Sequence, residues 1–307
     1  MKTGFLINNL FFSLLIFTTL QSYTPEHAHN HTHTSSHIPS LSNTELTPTN
    51  QETYEQIECT IEAITETLQR DSHTHIPGSL APSRTRSGTV IESSNNWSGY
   101  VAVSNVNDPA CNTVSAVAGS WTVPTIIASS DNSYSAFWVG IDGFTSPTVE
   151  QIGTAHDWNY GNLQNYAWFE MYPGGSYIIN GFPLRHGDVI SATVIYSGNG
   201  IFTMTLSNVT QRKSFTVPTS YTTLRGAIRS SAEWIVEAPY YYGILPLADF
   251  GTAHFNNCTA TLNGVTQAIG KFPNIALNMI TYTGSYKDKV SALASNQNSF
   301  SVVWDGQ

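Results

Sequence analysis

The sequence predicts an all-β protein whose bulk is a two-sheet antiparallel β-sandwich, preceded by a signal peptide and a helical pro-segment. Three observations predict the sandwich. From about residue 89 onward, short runs rich in β-branched and aromatic residues are separated by Gly, Pro, Asn and Ser. Many of these runs alternate apolar with polar or small residues, the period of a half-buried strand. Almost no helical period appears in the same region. The candidate strands are Tyr100–Val103, Ala116–Val123, Ser135–Ile141, Asn165–Tyr172, Val189–Tyr196, Phe202–Ser207, Lys213–Val217, Ser231–Val236, Ala248–Phe255, Thr259–Leu262, Ile275–Tyr282 and Phe300–Trp304. About a dozen strands imply two packed sheets, because one open sheet of that size would leave an apolar face wet.

The N-terminal part divides differently. Residues 1–24 are expected to be a secretory signal peptide: Lys2 is followed by the apolar run Leu10–Leu20, too short to span a bilayer. Residues 25–88 are expected to be a pro-segment and linker. Its first part holds His27, His29, His31, His33 and His37 in a stretch of low apolar content, read as a tail of low complexity. Tyr54, Ile57, Ile61, Ile64 and Leu68 recur at three- and four-residue steps, which predicts a helix over 51–70. Residues 71–88, with Pro77, Gly78, Pro82 and Gly88, predict an exposed linker in which Arg84 or Arg86 would suit a processing protease, or else a plain tether. The sandwich domain then occupies 89–307.

Composition narrows the function. Only 11% of the 307 residues are charged, the formal net charge is -9, and Lys plus Arg total 12. Nucleic acid is excluded as a partner, since neutralising phosphates needs clustered Lys and Arg. No later segment has the apolar length of a membrane helix, so no membrane partner is expected once the signal is removed. Three cysteines cannot staple such a fold; Cys111 and Cys258 are left as either a disulfide pair or two buried thiols. Asn96, Asn208 and Asn257 begin glycosylation sequons.

Several Gly-bounded aromatic blocks carry the candidate chemistry: NNWSGYV at Asn95–Val101, GSWTVP at Gly119–Pro124, FWVGIDG at Phe137–Gly143, EQIGT at Glu150–Thr154, YAWFEMYP at Tyr166–Pro173, AEWIVEAP at Ala232–Pro239 and LADFGTAHF at Leu247–Phe255. Trp97, Trp121, Trp138, Trp168 and Trp234 read as core or groove residues, with about two of the five lining a cleft. Glu170 and Glu237 sit on strands among aromatics, where a carboxylate is costly to bury without a partner or a function. Glu233 shares a face with Glu237 if the strand is regular. Asp142 and Asp249, beside turn residues, read as caps of backbone amides. No nucleophile elbow, HExxH pair, P-loop or GxGxxG is present, and neither is an aspartic-protease DTG or DSG signature. His156, His186 and His254 stand alone, so neither a metal nor another cofactor is expected.

In this order, FWVGIDG, EQIGT, YAWFEMYP, AEWIVE and LADFG resemble the glutamic peptidases (eqolisins), whose fungal members share GWVGIDG, LQTG, AWYEWYP, AEWIVE and ADFG blocks. The resemblance covers roughly residues 93–304 and implies a concanavalin-like or lectin-like sandwich with secreted, acid-acting, pepstatin-insensitive endopeptidase activity on polypeptides. Carried over by position, it implies Gln151 and Glu237 as the catalytic pair. It further implies Trp97, Asp142, Gly153, Trp168, Glu170 and Tyr172 as residues in or beside the cleft. Two departures stand out: Ala155 and His156 precede Asp157 where the family has an earlier aspartate, and Ala238 and Pro239 replace an acidic residue that often follows the glutamate. A monomer is expected.

The chemistry of such a pair follows from its groups. Peptide hydrolysis needs an activated water, a stabilised oxyanion and a proton for the leaving nitrogen. Glu237 can exchange protons, and the Gln151 carboxamide can donate to the oxyanion while its carbonyl positions the water. Two other readings stay open on the residues alone: a glycosidase using Glu170 and Glu237, and a carbohydrate-binding lectin with the tryptophans as sugar platforms.

Overall fold

The computed structural model describes residues 68–78, 80–86 and 89–306. The signal peptide, the His-rich tail and the helix expected up to residue 67 lie outside the described residues. The strands are β1 (Leu68–Arg70), β2 (Leu80–Arg86), β3 (Thr89–Ser94), β4 (Trp97–Val103), β5 (Val114–Thr122), β6 (Ala136–Ile141), β7 (Val149–Asn159), β8 (Asn162–Tyr172) and β9 (Ser176–Ile179). They continue as β10 (Val189–Gly198), β11 (Ile201–Asn208), β12 (Lys213–Thr216), β13 (Ser231–Glu237), β14 (Thr252–Leu262), β15 (Val265–Ala268), β16 (Asn274–Met279), β17 (Asp288–Val290) and β18 (Phe300–Trp304). Two three-residue 3-10 turns are the only helical elements among the described residues.

They form two sheets. A ten-stranded front sheet runs β1-β9-β8-β7-β6-β13-β4-β16-β3-β2, and an eight-stranded back sheet runs β12-β11-β10-β5-β14-β18-β17 with β15 on β14. The sandwich is therefore as expected, with one difference: β3 pairs β16 in parallel, while the other strand pairs are antiparallel.

The core between the sheets is aromatic, with Trp121, Trp234, Phe137, Phe169, Phe202 and Phe255 at most 1% exposed. An aromatic side chain buries about 150–250 Å², worth about 4–6 kcal/mol of transfer free energy each. This core, with no disulfide among the described residues, holds the fold: Cys111 is an exposed free thiol and Cys258 a buried one. The sheets are also joined by a polar chain. The Trp121 indole donates to Thr154 Oγ1 at 2.9 Å, Thr154 meets His156 Nε2 at 2.9 Å, and His156 Nδ1 meets Asn165 Oδ1 at 2.8 Å. His156 is thus a bonded core residue.

Two expectations for the N-terminal region are corrected. Leu68–Arg70 does not end a helix; it is β1, paired with β9 through Leu68↔Ile179. The stretch expected to be an exposed linker is in large part ordered structure: Arg84 and Arg86 lie in β2, paired with β3, and His75 is 1% exposed. The sequons at Asn96 and Asn208 are also unusable here, since both side chains are fully buried.

Candidate active site

The site is built from three strands of the front sheet. Side chains alternate along a strand, so Gln151 on β7 faces away from the inter-sheet core, as do Glu237 with Ile235 and Glu233 on β13 and Trp168 with Glu170 on β8. Their apolar neighbours on that outer face, Trp97, Trp138, Val149, Trp168 and Ile235, form a second cluster separate from the main core. The register sets Gln151 opposite both Gly140 of β6 and Glu170 of β8, and Glu237 opposite Ala136 of β6. Gln151, Glu170 and Glu237 are each 0% exposed. Three of the five tryptophans, Trp97, Trp138 and Trp168, belong to this face rather than the two expected.

The groove is not open. Residues 71–78 of the same chain cross it, and one residue of that segment meets the whole site. Gln151 Nε2 donates to the backbone carbonyl of His75 at 2.9 Å and to Glu170 Oε2 at 3.2 Å. The His75 backbone N–H donates to Glu170 Oε2 at 3.0 Å. Its imidazole Nδ1 lies 3.0 Å from Glu237 Oε2, and its ring stacks on Trp168 with centroids 3.5 Å apart and planes at 9°. Trp138 Nε1 donates to the same Glu237 oxygen at 2.8 Å. The Gln151 side-chain oxygen has no hydrogen-bond partner among the described residues.

Burial dominates the electrostatics. The Glu237 carboxyl is held well above the usual carboxylate range by desolvation, which the hydrogen bond from Trp138 only partly offsets. Glu170 is raised for the same first reason; the His75 N–H lowers it, the Glu237 charge raises it. Desolvation pushes His75 down to about 3. Burial disfavours the charged form of both partners in the His75–Glu237 contact, although the distance alone would suit an ion pair. Beside it lies a second titratable group: His73 Nδ1 is 3.2 Å from the Tyr166 hydroxyl and 3.8 Å from Asp157, and Tyr166 donates to Asp157 at 3.0 Å. Asp157 is pushed up to about 8, by burial first.

The remaining expected site residues fall into two sets. Trp168 and Glu170 touch the groove's occupant directly. Trp97 stands edge-on to Trp138 at 4.9 Å as part of the floor, and Tyr172 packs half-buried against the same cluster. Asp142 does not reach the groove. At φ 71° it turns back to accept the N–H of Ser230 at 2.8 Å and its hydroxyl at 3.1 Å, with the N–H of Arg229, so it ties two loops together as a cap. Gly153 is there for clearance: a Cβ would come 2.3 Å from the Phe137 carbonyl and 2.6 Å from Trp138 Cβ. The sequence reading missed His75, Trp138 as a partner of the carboxyl, and the 240–242 loop, whose Tyr240 backbone exchanges two hydrogen bonds with Thr74. No periodicity marks His75; its position two residues after His73 carries no pattern that a linker would lack.

A front-sheet groove floored by tryptophans, in which a buried carboxamide and a buried carboxyl meet one residue of a crossing segment of the same chain, defines a β-sandwich with titratable groups in a covered cleft. The family model described as "Peptidase A4 family" matches residues 95–303, more than half of the chain, and the chain belongs to that family. It is 30% identical over 215 residues to aspergillopepsin-2 of Aspergillus niger, covering 62% of this chain and 73% of that protein. It is 31% identical over 177 residues to scytalidopepsin B of Scytalidium lignicola, covering 55% of this chain and 64% of the relative, just under two thirds of its length. Among solved structures, scytalido-glutamic peptidase with a transition state analog inhibitor superposes with a TM-score of 0.56 at 22% identity, covering 69% of this chain and 98% of that one. That likeness shows the fold. The membership does not favour the glycosidase or lectin readings.

Proposed function

We infer that the chain is an exported, acid-acting endopeptidase that hydrolyses peptide bonds with a water set between Gln151 and Glu237, without a covalent intermediate. One observation carries the reading. The carboxamide of Gln151 donates to the carbonyl of a peptide lying in the cleft, and Glu237 meets the same residue of that peptide. In a substrate, that donor faces the oxygen on which charge develops, a position worth about 3–4 kcal/mol in the transition state. Glu237 exchanges protons with the attacking water and the leaving nitrogen, and a carboxyl with a raised pKa holds a proton to give in acid. Glu170 anchors the backbone N–H of the residue whose carbonyl is attacked and holds the Gln151 amide in place. Trp168 and Trp138 exclude bulk water, which strengthens each of these bonds.

The test is hydrolysis of denatured casein between pH 2.5 and 7 after acid incubation, with pepstatin present. Glu237→Gln and Gln151→Ala are each expected to lower kcat by about 10²–10⁴ while leaving the thermal midpoint near that of the parent. Parental activity in either variant overturns the assigned roles.

A further inference from the structure

We propose that a cavity outside the groove, between residues 127–133, the turn at 246–249 and Trp304, binds one sugar residue of a neutral glycan. The inference does not depend on the peptidase reading, because it concerns different residues and is read by binding alone.

The walls supply the first argument. The cavity holds about 340 Å³, toward the small end of the roughly 300–1,000 Å³ that ligand pockets occupy. Main-chain bonds tie its walls together: the Ile127 N–H donates to the Asp249 carbonyl at 2.8 Å, the Tyr134 N–H to Pro246 at 2.8 Å and the Trp304 N–H to Gly251 at 2.9 Å. Within the 127–133 segment, the Ser129 carbonyl accepts the Trp158 indole N–H at 2.7 Å and Asn132 Oδ1 accepts the Tyr160 N–H at 2.8 Å. A site pinned in this way needs little ordering when a ligand arrives, and ordering is one of the costs that binding must meet.

The second argument is the set of polar groups the walls leave over. Ser133 is 5% exposed, and its hydroxyl has no hydrogen-bond partner among the described residues. The Trp304 indole N–H is likewise buried and unpartnered. A buried donor left unmade costs about 1–3 kcal/mol, so both call for an acceptor. Two carboxylates line the same cavity and call for donors. Asp131 receives only a 3.4 Å contact from the Ser130 hydroxyl among the described residues, and Asp249 accepts the Gly251 N–H through Oδ1 alone.

The third argument is elimination. A cation would suit the carboxylates and leave the indole N–H and its need for an acceptor unmet. An anion would suit the donors and meet two negative charges. A hydroxyl group both donates and accepts through one atom, so a neutral ligand carrying several hydroxyls satisfies both sets at once. Trp304 offers apolar ring surface beside its N–H, against which the C–H face of a pyranose can lie. The ligand defined by these groups is a hexopyranose unit. Tyr134 links this cavity to the groove, since its backbone is tied to Pro246 and Ala248 and its ring stands edge-on to His73 at 5.0 Å. A glycan carried by a protein and a free polysaccharide both present this chemistry.

The experiment titrates the full chain calorimetrically with mannotriose, cellotriose and chitotriose. The parent is expected to bind at least one of them saturably. Asp131→Ala, in an exposed loop, and Trp304→Phe, which keeps a ring and removes the N–H, should each weaken that binding about tenfold, the effect of one lost hydrogen bond. The thermal midpoint of each variant, measured alongside, reports its folding. Retention of the parent on immobilised invertase, lost when the glycans are removed, assigns the ligand to glycoproteins; retention on chitin or cellulose assigns it to polysaccharides, and either result supports the site. Failure of all three trisaccharides to bind saturably overturns the proposal and leaves a cavity for water alone. Binding that both folded variants keep at parental strength overturns it as well, because the sugar then sits elsewhere.

Discussion

The two sheets of this sandwich bury their residues in opposite ways. In the back sheet, β10 and β11 alternate strictly: Ile190, Ala192 and Val194 point inward with Phe202, Met204 and Leu206, and their neighbours face water. In the front sheet, β4, β6 and β13 are buried at every position, and β7 over its first nine. The inner face is apolar in both sheets. The difference lies on the outer face, where the front sheet carries a buried Glu233 and, under residues 71–78, Gln151, Glu170 and Glu237, while the back sheet carries hydroxyl residues under solvent. A sheet wet on one side needs only its core for stability, whereas a sheet that hides acids on its outer side gives up some stability to hold reactive groups out of water.

The contrast breaks first at the shared core. Trp121→Ala removes an indole that fills the space between the sheets and donates to Thr154. A loss of about 3–5 kcal/mol is expected in urea unfolding, because a Trp-sized cavity cannot collapse and the Thr154 hydroxyl loses its donor. A loss below about 1 kcal/mol would mean that the sheets are not held together there.

The pH dependence of stability sharpens the comparison, because nearly all the perturbed acids belong to the front sheet or abut it. Glu150, Glu170, Glu233 and Glu237 are raised well above their ordinary range, Asp157 to about 8 and Asp288 to about 7, each by burial first. A folded-state pKa above the unfolded one gives stability that is complete below about pH 4 and declines as pH rises toward the folded value, by up to about 1.4 kcal/mol per unit for each group. The buried histidines run the other way. His75, at about 3, and His156, at about 4, contribute above pH 6.5 and lose that contribution as pH falls through the interval. Six carboxyls outweigh two imidazoles between about pH 4 and 6.5, and below about pH 4 only the imidazole effect remains. The thermal midpoint of the intact chain should therefore peak near about pH 4, and Asp157→Asn should flatten the decline from pH 4 to 8 by a few kcal/mol. Calorimetry from pH 3 to 8 checks both; a midpoint rising toward pH 7 would mean that these acids are ionised and solvated in the folded chain.

The same division decides only part of what could be read from the sequence. Strands β10 and β11 of the back sheet were legible because one wet face imposes a period of two, whereas the short β15 and β17 of that sheet were not, and β4, β6 and β13 of the front sheet were legible through their β-branched and aromatic runs although buried throughout. Strand β7, the one that carries Gln151, was not read as a strand at all, and neither was β9. Its sequence VEQIGTAHDWN places polar groups on both faces, since its inner side carries the Thr154–His156 chain and its outer side the candidate site. Gln151 is singled out by the order of the motif blocks, not by periodicity. Glu237 was legible both ways, as a carboxylate among aromatics that needed a partner, and it has Trp138. Asp142 shows the reverse: the turn chemistry beside Gly143 reads it as a cap of backbone amides, which its bonds to Ser230 match, while the family position sets it beside Gln151. Residues 68–78 were illegible because their structure comes from long-range pairing with β9 and the 240–242 loop, to which a Pro- and Gly-containing segment gives no local clue.

Asp142→Ala tests that cap on its own. It strips the acceptor from the buried Ser230 N–H and hydroxyl, and a stability loss of about 2–3 kcal/mol is expected, with kcat at acid pH unchanged. A drop in kcat at intact stability would return Asp142 to the groove. On the wet face of the back sheet the effect should nearly vanish. Thr216 bonds Thr205 across β11 and β12 at 2.9 Å, in an exposed cross-strand pair at the sheet's edge. Water replaces that bond at little cost, so Thr216→Ala should shift unfolding by no more than about 0.5 kcal/mol. A shift of 2 kcal/mol or more in urea titration would show that this face is covered in solution, and the distinction drawn between the two sheets would then fail on its solvent side, because the alternation of β11 would no longer record an outer face left to water.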